Sequence, residues 1–254
     1  MEEENLKLIE STLDEVLPRA DERPNILYEA MRYAVGTGGK RIRPLICLAA
    51  AEAVGGKRED ARYPAAAIEL LHNYTLVHDD LPAMDNDTER RGQPSVWAKY
   101  GEANAILAAD ALLSLSFRVL AYAPRNIRQI VETLGEKGVG VVAGQVEDIA
   151  ATGDVAFIYE HKTADLFMAA AVMGGWAGGG SVDEIEALRE FALNLGLAFQ
   201  YQDDLLDNDS PWPRAETERR AAASTAAALK ALERISGDTS RLHHIAMRLL
   251  GRKI

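Results

Sequence analysis

The sequence predicts an all-α fold, and three observations support that prediction. Apolar residues recur three and four positions apart over long stretches, which is the period of an amphipathic helix. No segment shows the alternation of apolar and polar residues between hairpin turns that is typical of a half-buried strand. Clusters of Gly, Pro, Ser and Asp predict about ten helices, joined by loops at 36–39, 55–60, 123–126, 151–154, 178–181, 209–213 and 236–238.

Composition indicates one globular domain covering residues 1–254. Apolar residues make up 48% of the 254 residues, enough for a substantial core, and no stretch reads as a linker or a repeat. The formal net charge of −11 argues against nucleic-acid partners and anionic membrane surfaces, because both require an excess of Lys and Arg.

The sequence also predicts a cytoplasmic location without stable membrane insertion. Cys47 is the single cysteine and lies in an apolar run, which fits a reducing compartment. The first ten residues lack the basic then apolar order of a secretory signal. The longest uncharged apolar stretch, residues 166–182, has five glycines and predicts a buried helix that runs into a loop.

The first helical stretch, residues 5–17, is followed by a basic loop that starts with glycines. The segment GTGGKRIRPL concentrates Lys40, Arg41 and Arg43, and Pro44 suits the first position of the next helix. Glycines let the backbone approach an anion closely, and a helix N-terminus offers N–H donors. The alternative interpretation is a basic surface loop without a ligand.

The next predicted helix, residues 65–80, ends in aspartates. Pro82 ends or kinks this helix, so Asp79 and Asp80 fall in its last turn, where the helix dipole disfavours anions by roughly 0.3 to 1 kcal/mol each. A sequence that keeps both carboxylates indicates a bound cation with oxygen ligands. A solvated acidic helix end is the competing interpretation.

Basic residues close to these aspartates favour a magnesium–diphosphate site. Arg90 and Arg91 follow the acidic cluster directly, and arginine suits phosphate recognition. His72 lies seven residues before Asp79, on the same helix face, and is a candidate diphosphate donor, although a lone histidine there is more often a core residue.

A second acidic cluster ends the helix predicted after the capping box at Ser181. Asp203 and Asp207 are four residues apart and share a helix face, where like charges destabilise a bare helix. The surrounding apolar residues argue against a simple surface turn. Two such helix ends can face each other across a bundle, which is where carboxylate metal sites are usually built.

Together these motifs resemble the trans-isoprenyl diphosphate synthases of the polyprenyl synthetase family. DDLPAMD at 79–85 and DDLLD at 203–207 match the two aspartate-rich motifs, and GGKRIRP, RRG, HKT at 161–163 and FQ at 199–200 match in order and spacing. The resemblance covers residues 27–207. It implies an isoprenoid synthase-type helical bundle with a central active-site cavity, and a homodimer formed through helices near the first motif.

The resemblance also implies a metal site for three Mg²⁺ ions. Two ions would be bound by Asp79 and Asp85 and the third by Asp203, with Asp80, Asp204 and Asp207 in support.

Further roles concern the two substrates, isopentenyl diphosphate and an allylic diphosphate such as dimethylallyl or geranyl diphosphate. Arg90 and Lys162 would hold the allylic diphosphate, and the isopentenyl diphosphate would contact Lys40, Arg43, His72 and Arg91. Thr163, Gln200 and the carbonyl near Lys162 would face the allylic cation.

Product length is expected to depend on Tyr74, five residues before Asp79 and roughly 7.5 Å along the helix axis. An aromatic residue there, together with the long form of the first motif, resembles bacterial farnesyl diphosphate synthases. The expected product is therefore C15, with C10 and C20 as alternatives.

The match to the family stops after Asp207. Family members continue with a loop carrying two lysines that close over the allylic diphosphate, whereas no lysine occurs here between Lys162 and Lys230. Arg214, Arg219 and Arg220 follow at a spacing that does not match. A noncatalytic or regulatory subunit is therefore the alternative to an enzyme. A terpene cyclase is a third possibility, which the DDLLD motif disfavours.

Overall fold

Twelve α-helices provide nearly all of the regular structure within residues 2–151 and 153–251, the part of the chain that this computed structural model describes. The helices are α1 (Glu2–Val16), α2 (Asn25–Gly36), α3 (Ile42–Ala53), α4 (Arg62–Asp79), α5 (Val96–Tyr100), α6 (Glu102–Val119), α7 (Ile127–Ile149), α8 (Val155–Ile158), α9 (Asp165–Gly178), α10 (Val182–Asp207), α11 (Arg214–Leu232) and α12 (Ser240–Leu250). The predicted all-α class is confirmed.

Two short departures from α-helix contain residues of the predicted motifs. Glu89–Arg90 (β1) pairs antiparallel with Gln93–Pro94 (β2), a two-residue hairpin that the sequence pattern does not reveal. Tyr159–Ala164 forms a π-helix between α8 and α9, and we call this stretch the π-segment. Single turns of π-helix are frequent at functional sites.

Helix α9 lies at the centre of the bundle and contacts α3, α4, α7 and α10. All of its residues except Trp176 are buried, and it ends at Gly178 in the predicted glycine-rich loop. A helix that is apolar all round is expected inside a large bundle. The predicted buried helix at 166–182 is therefore present.

Helix α6 has two different faces. Residues 102–122 are the one candidate membrane span among the described residues by length and composition, and 44% of that stretch is buried inside the protein. Ala105, Ala108 and Leu112 are buried on the side of the core, where α6 contacts α4. The other face exposes Ile106 and Leu107.

Helix ends largely follow the local signals. Ser181 caps α10 in the predicted capping box, in which its hydroxyl accepts from the Glu184 N–H and the Glu184 carboxylate accepts from the Ser181 N–H. Helix α3 begins at Ile42, so Pro44 occupies the third helical position and not the predicted first. The difference costs no hydrogen bond, because N–H groups of the first turn have no partner within the helix.

Candidate active site

Two adjoining cavities meet at Arg43 and His72. The basic cavity, of about 510 Å³, is lined by Thr37, Gly39, Lys40, Arg41, Ile42, Arg43, Glu69, His72, Arg91, Phe167 and Phe199. The apolar cavity, of about 360 Å³, is lined by Arg43, His72, Tyr74, Thr75, Leu76, His78, Asp79, Met84, Val141, Val142, Gln145, Val146, Ile149, Lys162, Thr163 and Leu166. Cationic side chains line the basic cavity, whereas in the apolar cavity the Asp79 carboxylate lies beside apolar side chains.

Arg43 and His72 contact each other across the join between these cavities. The Arg43 Nη1 atom lies 3.3 Å from His72 Nε2, and the guanidinium stacks over the Phe167 ring at 4.9 Å from its centroid. Arg43 is in the first turn of α3 and His72 is in the middle of α4. The predicted pair from two separate motifs is therefore brought together.

Burial and mutual repulsion shift the protonation of this pair. Burial lowers the pKa of Arg43 to about 10, with Arg91 adding to the effect against the opposing charge of Glu69. Burial and the charges of Arg43 and Arg91 hold the pKa of His72 well below its ordinary value. At neutral pH the pair is therefore one arginine cation and one neutral imidazole.

Polar atoms without a partner point to a ligand at these cavities. Arg43 Nε, His72 Nδ1 and Gln145 Nε2 are buried, and none has a hydrogen-bond partner within residues 2–151 and 153–251. Buried polar groups are nearly always hydrogen-bonded, so such atoms need an explanation. Hydrogen-bond acceptors on a bound molecule would supply it.

Arg41, two residues before Arg43, makes structural contacts with other parts of the protein. Its guanidinium donates to Glu10 and Glu69 at 2.7 Å and to the Val35 carbonyl at 2.8 Å, and its side chain is 3% exposed. These contacts hold Arg41 at a φ of 49°, in the left-handed region that residues with a Cβ rarely adopt. Lys40 is exposed at the rim of the basic cavity.

The first acidic cluster begins where α4 ends, as predicted. Asp79 is the last helical residue, Asp80 caps the helix, and the Asp85 N–H donates to the Asp79 carbonyl at 2.9 Å. Asp79 lines the apolar cavity, and burial raises its pKa to about 6 against the opposing charge of Lys162. Asp85 is exposed. The fold thus places a partly desolvated carboxylate at the cavity wall.

Asp80 already has a cationic partner. Arg90 Nε donates to its carboxylate at 2.6 Å, and Arg90 Nη2 also lies 3.8 Å from Asp87. Arg91 instead donates to the Gly38 carbonyl and faces the basic cavity. The two adjacent arginines therefore face different surroundings, the first an aspartate and the second a cation-lined cavity.

The π-segment delivers Lys162 and Thr163 to the apolar cavity. The Lys162 ammonium donates to Asp148 on α7, and the Thr163 hydroxyl donates to the Gln200 amide oxygen on α10 at 2.8 Å. Gly144 of α7 permits this approach, because a Cβ there would lie 2.5 Å from the Lys162 nitrogen.

The second acidic cluster connects to the same site through hydrogen bonds. Gln200 Nε2 donates to one Asp204 oxygen at 2.9 Å, and the Tyr159 hydroxyl donates to the other at 2.5 Å. Burial and the hydrogen bond to Asp204 raise the pKa of Tyr159. Asp203 is half-buried on α10, and Asp207 is exposed at the end of that helix.

The donor set suits magnesium in type. The clusters offer only carboxylate oxygens, the ligands that Mg²⁺ prefers. No three His, Cys, Asp or Glu side chains within the described ranges converge into a ready cage. Mg²⁺ is usually held by one or two carboxylates, several waters and substrate phosphates, so the arrangement fits an ion that arrives with a diphosphate.

The loop after Asp207 closes on aromatic residues. Trp212 contacts the rings of Tyr159 and Tyr201, with centroids 5.8 Å apart in both pairs. The arginines that follow are engaged along α11, where Arg214 pairs with Glu218 while Arg219 and Arg220 pair with Glu216. The basic residues nearest the missing lysines thus bind acidic residues of their own helix.

Sequence reasoning missed several side chains at this site. Asp148 and Gln145 are three residues apart on an otherwise apolar face of α7, and that spacing could have marked them. Tyr159 lies four residues before Thr163, as Gln200 lies four before Asp204, a pattern that matches two antiparallel helices in contact. Phe167 carries no polar signal.

Comparisons with known proteins identify the family to which this chain belongs. The polyprenyl synthetase family profile matches residues 24–247. The expectation that the match stops after Asp207 is therefore wrong for the profile, which continues to residue 247 although the two lysines of the loop are absent. The Arabidopsis thaliana protein named heterodimeric geranylgeranyl pyrophosphate synthase large subunit 1, chloroplastic, is 45% identical over 221 residues, and the match covers 79% of this chain and 58% of that protein. The geranylgeranyl pyrophosphate synthase, chloroplastic, of Capsicum annuum is 42% identical over 215 residues, and the match covers 78% of this chain and 57% of that one.

A solved structure matches over almost the full length of both chains. The apo structure of an FPP/GFPP synthase from Zymomonas mobilis superposes with a TM-score of 0.87 at 30% identity, covering 98% of this chain and 100% of that one. The chain spans somewhat more than half the length of the two curated relatives named above. On the profile match, the relatives and the shared fold, this chain belongs to the polyprenyl synthetase family.

Proposed function

We propose that this protein condenses isopentenyl diphosphate with an allylic diphosphate and releases inorganic diphosphate. The observation that carries the proposal is the junction of the two cavities at Arg43 and His72. The basic cavity has cationic side chains and hydrogen-bond donors without a partner among the described residues, and the apolar cavity has Asp79, Lys162 and an apolar wall. One diphosphate in each cavity would bring two isoprenoid chains together.

The basic cavity is the proposed site of isopentenyl diphosphate. Arg43 and Arg91 supply charge-assisted hydrogen bonds to its phosphate oxygens, Lys40 adds charge at the rim, and neutral His72 donates one further bond. Tight positioning of the nucleophilic double bond in this way converts a bimolecular reaction into an effectively unimolecular one.

The aspartates are the proposed holders of three Mg²⁺ ions at the allylic diphosphate, two at Asp79 and Asp85 and one at Asp203. Asp80, Asp204 and Asp207 would act in support, Asp80 and Asp204 through the hydrogen bonds that already fix them. When bound, Mg²⁺ neutralises the charge of the departing diphosphate.

Neutral oxygens of the protein are the proposed neighbours of the allylic cation. Thr163 and Gln200 are held together at 2.8 Å, and the carbonyl near Lys162 belongs to the π-segment. Dipoles fixed in advance stabilise a developing cation without the cost of reorganising solvent. Once a partner chain covers the exposed part of the apolar wall, the cavity would exclude water from the cation. The released diphosphate is the proposed base for the final proton.

We propose that the product is C15, because of the position of Tyr74. Its ring lines the apolar cavity and lies edge-on to His78 at 4.7 Å between centroids, so it limits the depth available to the growing chain. A C20 product is the second candidate, because the relatives reported above are named as geranylgeranyl pyrophosphate synthases.

A homodimer is the proposed assembly. Helix α7 exposes Val139, Val142, Val146 and Ile149 along one face, and α6 exposes Ile106 and Leu107. Exposed apolar side chains in such a row mark a protein contact. One relative is named as the large subunit of a heterodimer, so a second, different chain is the alternative partner.

The direct test is incubation of the purified protein with Mg²⁺, isopentenyl diphosphate and C5, C10 or C15 allylic diphosphates in turn, with products identified by mass. We expect a C15 product from the C5 and C10 starters, abolished in Asp79→Ala. Asp183→Ala, at an exposed site in the first turn of α10, is the control and should retain activity.

Other outcomes of this experiment are equally informative. A C20 product would keep the reaction and replace the proposed chain length. Absence of condensation with every starter, in folded protein that still binds inorganic diphosphate with Mg²⁺, would identify a noncatalytic subunit.

A further inference from the structure

A buried ionic cluster lies beside the π-segment and has no part in the proposed binding of substrates. Asp165, the first residue of α9, has a side chain that is 1% exposed. Its Oδ2 lies 2.8 Å from His161 Nδ1, and its Oδ1 lies 3.1 Å from the ammonium of Lys137 on α7. The cluster therefore bridges the end of the π-segment to a neighbouring helix.

Stability alone gives no reason for these charges. Removing two ions from water costs several kcal/mol each, and well-packed apolar residues often serve a fold equally well. Burial by itself would lower the pKa of Lys137, but the carboxylates of Asp165 and Glu136 raise it overall above its ordinary value. Lys137 is therefore charged, and its ion pair with the buried Asp165 carboxylate supplies a fixed geometry.

The fixed geometry is that of the π-segment against α7. Lys162 is tied to α7 through Asp148, and a Cβ at Gly140 would lie 1.9 Å from Asp165 Oδ2, so the two helices are in close contact at the cluster. A π-helical turn holds one residue more than an α-helical turn. Rewinding it as α-helix would rotate the preceding residues by about 100° and separate Thr163 from Gln200.

We propose that Asp165 and Lys137 are positioning residues, which lock the π-segment in the register that presents Lys162 and Thr163 to the apolar cavity. The kinetic consequence rests on the proposed function, whereas the register itself does not. Asp165 acts on substrate only through the backbone of residues 161–163, and Lys137 acts only through Asp165.

Lys137→Met is the test, because methionine keeps most of the side-chain volume and removes the charge. Hydrogen exchange measured by mass spectrometry should show amides of 159–164 exchanging about tenfold or more faster than in the wild type. With allylic substrate, kcat should fall about 10- to 100-fold, since a displacement near 1 Å can cost that much. The KM for isopentenyl diphosphate should change less than about twofold, because no residue of the cluster lines the basic cavity.

Two further variants separate positioning from general stability. Lys137→Arg keeps the ion pair and should restore both readouts. Arg241→Met removes a partly buried pair with Glu52 between α12 and α3, and should lower the melting temperature without changing exchange at 159–164. If Lys137→Met does not fold, Asp165→Asn replaces it in both measurements.

Unchanged hydrogen exchange at 159–164 in Lys137→Met would overturn the proposal. A fall in kcat accompanied by comparable increases in the KM values of both substrates would overturn it as well. A wild-type protein that does not condense the substrates would instead defeat the proposed function. In that case the positioning role is tested by hydrogen exchange at 159–164 and by the Kd for inorganic diphosphate with Mg²⁺, because neither measurement requires turnover.

Discussion

At Asp79 the fold and the proposed chemistry favour opposite protonation states. Burial raises the pKa of this carboxyl to about 6 in the metal-free protein, whereas a metal ligand must be ionised. The unfolded chain ionises Asp79 near 3.8, so the folded state binds the proton more tightly. Ionisation of Asp79 therefore lowers the unfolding free energy of the metal-free protein progressively from about pH 4 to pH 6, and this effect is complete above about pH 7.

We expect Asp79→Asn to stabilise the protein in EDTA at neutral pH. A pKa change from 3.8 to about 6 corresponds to roughly 3 kcal/mol, which solvent screening at this partly exposed site reduces to roughly 1 to 2 kcal/mol. Thermal denaturation at pH 4.5, 5.5, 6.5 and 7.5 should show that the stability of the variant relative to the wild type increases with pH and then becomes constant. A gain that is the same at every pH would contradict the argument.

Tyr74 is the residue at which product length is expected to be set. Tyr74→Ala removes a ring that lines the apolar cavity, and the space it leaves extends the cavity along α4. We expect the main product to lengthen by at least one C5 unit, measured by mass from geranyl diphosphate and isopentenyl diphosphate. Tyr122→Ala, at an exposed position outside both cavities, is the matched control, and identical products from the two variants would exclude Tyr74 as the floor.

Among individual residues, charge and spacing predicted the site better than they predicted its contacts. Arg43 and His72 come from separate motifs and do meet, and Lys40 and Arg91 line the same cavity. The metal and substrate roles of the predicted residues remain predictions. The pairing of Asp80 with Arg90 could not be foreseen, because the sequence places both beside several possible partners.

Among the elements, the contact between α7 and the π-segment is sensitive to a single methyl group. Gly144→Ala would place its Cβ 2.5 Å from the Lys162 nitrogen and 3.0 Å from its Cα, which are backbone atoms that cannot turn aside. We expect a loss of roughly 1 to 3 kcal/mol in unfolding free energy from overpacking, measured by urea denaturation.

Gly135→Ala in the same helix is the control for helix propensity. The Cβ there would meet only Phe117 Cε1, at 3.9 Å, so the substitution should stabilise the protein by up to about 1 kcal/mol. Equal stability of the two alanine variants would show that the π-segment moves away from α7 at no cost.

The elements that sequence predicted best are those with strong local signals. Long helices with caps, such as α10 after Ser181, and the apolar α9 follow directly from periodicity and composition. The π-segment could not be predicted in this way, because it depends on Gly144, Asp148 and Lys137 of a helix that precedes it in the chain. The hairpin of β1 and β2 is too short for an alternating pattern to show.

For the whole molecule, the exposed apolar faces of α6 and α7 predict self-association. Val142, Val146 and Ile149 are about half exposed or more, yet they also line the apolar cavity, so one wall of that cavity is open to solvent in the single chain. A second copy docked on these helices would bury the exposed valines and cover that wall. Assembly and the closed cavity are then two results of one contact.

Val139→Glu tests this contact, because Val139 is 72% exposed on α7 and does not line the cavity. A buried carboxylate at the interface costs far more than an exposed one, so the variant should be a monomer where the wild type is a dimer. Light scattering after gel filtration measures the mass of each. Val182→Glu is the matched control, since Val182 is 73% exposed at the start of α10 and should leave the mass unchanged. A wild-type protein that elutes as a monomer would assign these faces to a different partner chain, and a dimeric Val139→Glu would exclude them as the interface.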